Sequence, residues 1–184
     1  MILPVYAYGH PVLNKVGAPI DEITDETLEL INNMWDTMYK ASGIGIAAPQ
    51  VGKSLRIFIV DTVQVEKDEE DVKTGIKKVF INPVMIEETG EDKEYEEGCL
   101  SIPHVRGKVT RLTNIKIEYQ NEKGEKLIEE YDGMNARVIQ HEYDHIEGKL
   151  FTNMLKPLKK RRVQRKLQAI KLGNVSTEYR MKFL

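Results

Sequence analysis

The residues best suited to chemistry lie in the stretch Q-H-E-Y-D-H at 140–145. Side chains four residues apart project from the same face of a helix, so His141 and His145 could bind one metal ion. Glu142, one position on, could hydrogen-bond a water molecule at that ion without binding the ion itself. The pattern predicts a hydrolytic metal site, although a helix surface that carries several polar residues is an alternative. Two imidazoles leave such a site short of a third ligand.

The sequence after this motif offers no convincing third ligand. One known continuation has a glycine and then a histidine, and Gly148 fits it, but Phe151 stands where the histidine would be. Other sites of this type use a glutamate further downstream. Glu147 is too close on the same helix, and Glu178 follows a basic segment in a tail that we expect to be mobile. We therefore expect the third ligand upstream.

Cys99, in E-E-G-C-L-S-I-P-H at 96–104, is the strongest candidate for that ligand. A thiolate and two imidazoles form a three-ligand shell with an open fourth position, which suits a catalytic ion. A purely structural zinc site is disfavoured, because it needs a fourth protein ligand. His104 is a rival to Cys99, and a lone cysteine is more often a small buried apolar residue.

Hydrophobic patterns predict the elements that position these residues. Helices are expected at 21–40, at 133 to about 147 and at about 157–172, strands at 55–61, 78–86, 114–120 and 126–131, and a glycine-rich loop at 43–52. The last two strands should form a hairpin. This order predicts an α+β fold with largely antiparallel β-sheets around a central helix that carries the motif, flanked by an N-terminal and a C-terminal helix.

Composition describes an ordinary globular protein, with 184 residues expected to form one domain over 1–184. The net charge of −2 gives no reason to expect DNA or membrane binding, and the start of the sequence does not resemble a signal peptide. The single cysteine excludes an intrachain disulfide and indicates a reducing cytoplasm. Charge is concentrated in an acidic stretch at 66–73, expected to be a solvated loop, and a basic stretch at 156–171. The basic stretch could bind RNA or be a solvated helix face.

Three segments together resemble the motifs of the peptide deformylases. These are G-I-G-I-A-A-P-Q at 43–50, E-G-C-L-S at 97–101 and Q-H-E-Y-D-H at 140–145, in the order and with the spacing of that family. The resemblance extends over most of residues 4–151. It departs at Asn153, where the family often has an aspartate, and at 66–77, which resembles a variable insertion.

The resemblance implies removal of the formyl group from the N-terminal formylmethionine of new bacterial polypeptides in the cytoplasm, with release of formate. It assigns metal binding to Cys99, His141 and His145. It also assigns proton transfer to Glu142, the oxyanion contacts to the Gln50 amide and the Leu100 N–H, and backbone pairing with the peptide to Gly45. The implied substrate-binding residues are Ile44, Glu97, Gly98, Arg106, Met134 and Val138.

The same resemblance makes Fe²⁺ the expected ion, with Zn²⁺, Ni²⁺ or Co²⁺ as alternatives; a Cys/His/His shell also suits zinc by ligand preference. The expected substrate is the formylated nascent polypeptide, and the basic C-terminal helix is expected to contact the ribosome. A general H-E-x-x-H zinc endopeptidase is the alternative enzyme. The third metal ligand distinguishes the two.

Overall fold

The structure is a computed structural model that describes residues 1–66 and 74–184. The described residues form the helices α1 (Asp25–Lys40), α2 (Gly133–Ile146) and α3 (Pro157–Lys171). Their strands are β1 (Val5–Tyr6), β2 (Gly45–Ala47), β3 (Ile57–Asp61), β4 (Lys77–Cys99), β5 (Ile102–Gln120), β6 (Lys126–Asp132) and β7 (Met181–Lys182). The acidic loop predicted at 66–73 lies, apart from its first residue, outside the described residues.

The main sheet is antiparallel, with strand order β2-β3-β4-β5-β6. Its last pair is the predicted hairpin, in which Gln120 lies opposite Lys126. A separate parallel pair joins β1 to β7. The α+β prediction is confirmed, since strands form one largely antiparallel block and the helices pack around it.

Helices cover both faces of the sheet at β3. Phe58 lies in the apolar cluster beneath α2, while Ile57 and Ile59 lie in the cluster that contains Met34 and Met38 of α1. Successive strand residues point to opposite faces, so a strand buried on both sides needs apolar residues at every position. Each such side chain contributes about 1.5–3 kcal/mol when it is fully buried.

Two strands are much longer than their hydrophobic patterns predict. The second half of β4 is mostly exposed and acidic, and it follows β5 through several register shifts. The first half of β5 alternates between buried and exposed residues, but its buried positions include Gly107 and Arg111. The alternation therefore does not stand out as a hydrophobic pattern. These extensions bring Cys99 to the end of β4.

The segment 43–52 is not a loop as predicted. Gly45–Ala47 form edge strand β2, paired with β3, and Ala48–Val51 form a turn of 3-10 helix. Helix α1 also begins later than predicted, because Thr24 caps it by accepting a hydrogen bond from the Thr27 N–H at 3.3 Å.

The tail after α3 is not mobile as expected, because Met181 and Lys182 pair with Val5 and Tyr6. Helix α3 itself packs through Val163, Leu167 and Ile170 on the apolar cluster around β5. In the described part of the chain, no helix combines the length and the apolar character needed to cross a membrane.

Candidate metal centre and active-site cleft

Three potential metal ligands converge at one point beside α2. His141 and His145 are one helical turn apart, and their ring centroids are 5.1 Å from each other. Cys99 meets them from the end of β4, with its Sγ 3.3 Å from Nε2 of His145. The three ligand atoms lie within 4.8 Å of one another. One thiolate and two imidazoles at this separation can bind a divalent transition-metal ion and leave a coordination position free.

The rival ligands lie elsewhere. His104 is exposed, and its Nε2 donates to the carbonyl oxygen of Ser176 at 2.8 Å. Glu147 forms an ion pair with Arg56 at 2.6 Å. Phe151 is buried, with its ring stacked against His141 at 6.1 Å. Within residues 1–66 and 74–184, Cys99, His141 and His145 are the group with the right donors at the right separation.

Glu142 is buried beside this group, with only 4% of its surface exposed. Its Oε2 has no hydrogen-bond partner among the described residues. Burial raises the pKa of this carboxyl group to about 7, against the opposing effect of His141. A carboxyl group with such a pKa can both accept and donate a proton near neutral pH.

Gly45 makes room for that carboxylate. A Cβ atom at Gly45 would lie 2.5 Å from Oε1 of Glu142 and 2.9 Å from its Cδ, which is too close for real atoms. The missing side chain lets α2 and β2 approach each other with the Glu142 carboxylate between them. The predicted pairing of the Gly45 backbone with a peptide stays a prediction.

Gln50 connects the 3-10 turn to the end of β4. Its Oε1 accepts a hydrogen bond from the Ala47 N–H at 2.8 Å, which fixes the orientation of the side-chain amide. Nε2 then lies 3.4 Å from Sγ of Cys99 and 3.3 Å from Oγ of Ser101. Leu100, the other predicted oxyanion residue, lies in the tight turn between Cys99 and Ser101. An amide donor and a turn backbone are thus held next to the three ligand atoms.

The Glu97 carboxylate is the centre of a buried ionic network. It accepts hydrogen bonds from Arg111 Nε at 2.8 Å and Nη2 at 3.0 Å, from Arg137 Nη1 at 2.8 Å and from His141 Nδ1 at 2.8 Å. Burial raises its pKa, but the bonds from His141 and Arg111 outweigh that effect and hold the pKa well below its usual range. The ionised carboxylate accepts a hydrogen bond from Nδ1–H of His141, which leaves Nε2 of that ring free to bind a metal.

This network limits what Glu97 can do as a predicted substrate-binding residue, because both carboxylate oxygens are occupied. Any contact with a substrate would come from its backbone, which borders the cleft. Arg106 borders the cleft too, but its side chain is 59% exposed and its Nε lies 3.4 Å from Oε2 of Glu96. Arg106 lies opposite Gly98 in the β4–β5 pairing. The substrate contacts of these three residues stay predictions.

A cleft of about 740 Å³ opens in front of the potential ligands. This volume is in the range of small-molecule and peptide sites. Met134 and Val138 are buried on α2, and half-buried Ile44 precedes β2, so the cleft has an apolar side. The cleft borders every predicted site residue except His145, which is buried.

Sequence reasoning missed Arg111, Arg137 and Tyr179. Arg137 lies one turn before His141 on α2, and an arginine at a buried position can indicate a buried ion pair. Tyr179 donates a hydrogen bond to the Leu100 carbonyl oxygen at 2.7 Å. Burial raises the pKa of Tyr179 to about 12, so its hydroxyl group stays protonated. The sequence near Tyr179 gives no sign of this contact.

Known proteins share both the sequence and the fold. The family model described as polypeptide deformylase matches residues 2–161. The peptide deformylase of Christiangramia forsetii is 54% identical over 189 aligned residues, which cover 100% of this chain and 96% of the relative. That of Flavobacterium johnsoniae is 50% identical, with coverage of 100% and 96%.

Two solved structures agree with these matches. A peptide deformylase from Legionella pneumophila has a TM-score of 0.82 at 36% identity, with 95% of this chain and 98% of that chain covered. A plant peptide deformylase has a TM-score of 0.84 at 28% identity, with 97% and 96% covered. On this evidence, the chain belongs to the polypeptide deformylase family.

Proposed function

We propose that this chain hydrolyses the N-formyl group of formylmethionine at the start of newly synthesised polypeptides, releasing formate and a free amine. The observation that carries the proposal is the position of Glu142, which borders the cleft beside Cys99, His141 and His145 and whose Oε2 has no hydrogen-bond partner among the described residues. Membership of the family supports the same activity. We also propose that residues 1–184 act as one catalytic domain.

Cys99, His141 and His145 would hold the metal ion. A bound divalent ion would polarise the formyl carbonyl and make water acidic enough to attack it at neutral pH. We propose Fe²⁺ as the physiological ion, with Zn²⁺, Ni²⁺ or Co²⁺ as ions that the same ligands accept. Glu97 supports this shell because its hydrogen bond to Nδ1 fixes the ring of His141.

Glu142 would serve as the proton carrier. Its free Oε2 can take a proton from the attacking water, and a pKa of about 7 lets it return that proton to the leaving amine. Its carboxylate packs against Gly45 and interacts electrostatically with His141, which keeps it near the reacting atoms.

Gln50 and Leu100 would stabilise the negative charge that develops on the formyl oxygen. The Gln50 amide is already oriented by its bond to the Ala47 N–H, so little reorganisation is needed in the reaction. The Leu100 N–H would be the second donor. Loss of one such donor costs about 2.7–4 kcal/mol of transition-state stabilisation.

The apolar side of the cleft would bind the methionine side chain. Ile44, Met134 and Val138 offer flexible or branched apolar surface, and burial of a methionine side chain contributes about 1.5–3 kcal/mol. The peptide backbone would then lie along the edge formed by Gly45, Glu97 and Gly98, with Arg106 at the exposed end.

The named relatives from Christiangramia forsetii and Flavobacterium johnsoniae are bacterial proteins, and we propose that this chain acts in a bacterial cytoplasm. Helix α3 exposes Arg161, Arg162 and Arg165 on the side away from its buried face. We propose that this basic side contacts the ribosome, close to emerging chains.

The decisive test is formate release from formyl-Met-Ala under anaerobic conditions, with metal analysis of the same sample. We expect formate in a one-to-one ratio with free Met-Ala, and an intact Met-Ala peptide bond. Acetyl-Met-Ala, in which an extra methyl group must fit beside the metal, is the control and should react far more slowly. Cleavage of internal peptide bonds without formate release would instead favour the general endopeptidase.

A further inference from the structure

The segment after α3 forms one wall of the cleft. Residues 176–179 border it beside Leu100. The segment is anchored at both ends: His104 donates to the Ser176 carbonyl at 2.8 Å, and the Ala7 N–H donates to the Lys182 carbonyl at 2.9 Å in the β1–β7 pairing. These contacts hold the intervening residues in a fixed position against the site.

Tyr179 reaches from this wall to the turn that follows Cys99. Its hydroxyl donates to the Leu100 carbonyl oxygen at 2.7 Å, and its ring packs on the apolar cluster that Leu100 also contacts. Oγ1 of Thr177 donates to the Tyr179 carbonyl at 2.6 Å, which restrains the backbone of Tyr179 itself. The phenol is therefore a fixed donor.

The turn is restrained from three directions. The Tyr8 N–H donates to the Ser101 carbonyl at 2.8 Å, and Nε2 of Gln50 lies 3.3 Å from Oγ of Ser101. Those two contacts restrain Ser101, whereas the contact of Tyr179 restrains Leu100. The N–H and the carbonyl of Leu100 belong to neighbouring peptide planes that meet at its Cα atom. A held carbonyl oxygen therefore limits how far that Cα, and the N–H attached next to it, can move.

We propose that Tyr179 is a positioning residue for deformylation, which holds the Leu100 carbonyl so that the Leu100 N–H points at the developing oxyanion. The inference rests on the proposed role of Leu100. An oxyanion donor acts only at about 2.7–3.1 Å from the charged oxygen, and a displacement of about 1 Å can cost about 100-fold in rate. The Tyr179 hydroxyl acts through Leu100, so its removal should lower kcat.

The test is Tyr179→Phe, which removes the hydroxyl and keeps the ring. We expect kcat for formyl-Met-Ala to fall about 5- to 30-fold, because the donor is loosened but not removed. KM, metal content and Tm should stay close to those of the unmodified protein. Hydrogen exchange followed by mass spectrometry should show faster exchange in peptides that contain Leu100.

Tyr131→Phe is the matched control. It removes a phenol that hydrogen-bonds Glu129 on β6 and does not border the cleft, so kcat and exchange at Leu100 should not change. The proposal is overturned if Tyr179→Phe leaves kcat within twofold of normal. It is also overturned if the variant binds less metal, has a lower Tm and has a changed KM, because those changes together indicate a general structural defect. The exchange measurement needs no activity, and formate release by the unmodified protein tests the proposed function by itself.

Discussion

The two sides of the metal centre are built in different ways. His141 and His145 are separated by one turn of α2, so helix geometry alone sets their distance. Cys99 and Leu100 lie at a strand end and in a turn, and contacts from distant segments fix them. Gln50 reaches this turn across 49 residues of sequence and Tyr179 across 79. The helix side depends on local structure, whereas the turn side depends on the whole fold.

The largest effect is expected from removing one ligand on either side. Cys99→Ala and His145→Ala should each abolish retention of the metal and reduce formate release below detection, because two ligands cannot hold the ion against water and buffer. Metal analysis after gel filtration, together with a formate assay, measures both losses. A Cys99→Ala protein that keeps one ion per chain would show that the turn side does not belong to the shell.

A substitution of Glu142 on the helix side should reduce turnover without reducing metal binding. Glu142→Gln removes the proton carrier but preserves size, so we expect kcat to fall by about 10²- to 10⁴-fold while metal content stays normal.

Glu147→Gln is the control for this change. Glu147 lies just past the end of the same helix and pairs with Arg56 outside the cleft, so activity should stay within about twofold. Near-normal turnover in the Glu142 variant would remove that residue from the mechanism.

A smaller effect is expected where the two sides are joined. Glu97 on β4 accepts a hydrogen bond from Nδ1–H of His141 on α2. Glu97→Gln weakens that acceptor and removes the negative charge that pairs with Arg111 and Arg137. We expect metal affinity to fall about 10- to 100-fold, as measured by competition with a chelator. Glu96→Gln, at the neighbouring and 58% exposed position, should leave the affinity unchanged. Equal affinities in both variants would contradict a supporting role for Glu97.

The fold was predictable where hydrophobic patterns follow one secondary structure. Strand β3, strand β6 and the hairpin end of β5 lie close to their predicted bounds, and α2 ends before Gly148, whose φ of 70° suits a glycine. The far half of β4 was missed because it is acidic and exposed. Such a strand forms only because β5 supplies the buried side chains beside it.

Spacing and family motifs were enough to predict that Cys99, His141, His145 and Glu142 belong to one site. They did not predict the hydrogen bonds that support these residues. Arg111 is separated from Asp144 by 33 residues, yet Nη1 lies 2.8 Å from Oδ2. Nothing local to either residue indicates the pair. The same holds for Tyr179, whose contact with Leu100 depends on the pairing of β7 with β1 and on the bond between His104 and Ser176. Long-range hydrogen bonds of this kind depend on packing that a single sequence does not reveal.

The close approach of Gly45 and Glu142 has a consequence for engineering the enzyme. A methyl group at position 45 would displace the carboxylate, so a library that randomises the cleft will lose activity at this position whatever residue is introduced. Attempts to accept larger or differently shaped N-terminal residues should therefore vary Ile44, Met134 and Val138. Redesign of specificity has freedom along α2 and just before β2, but none at the glycine between them.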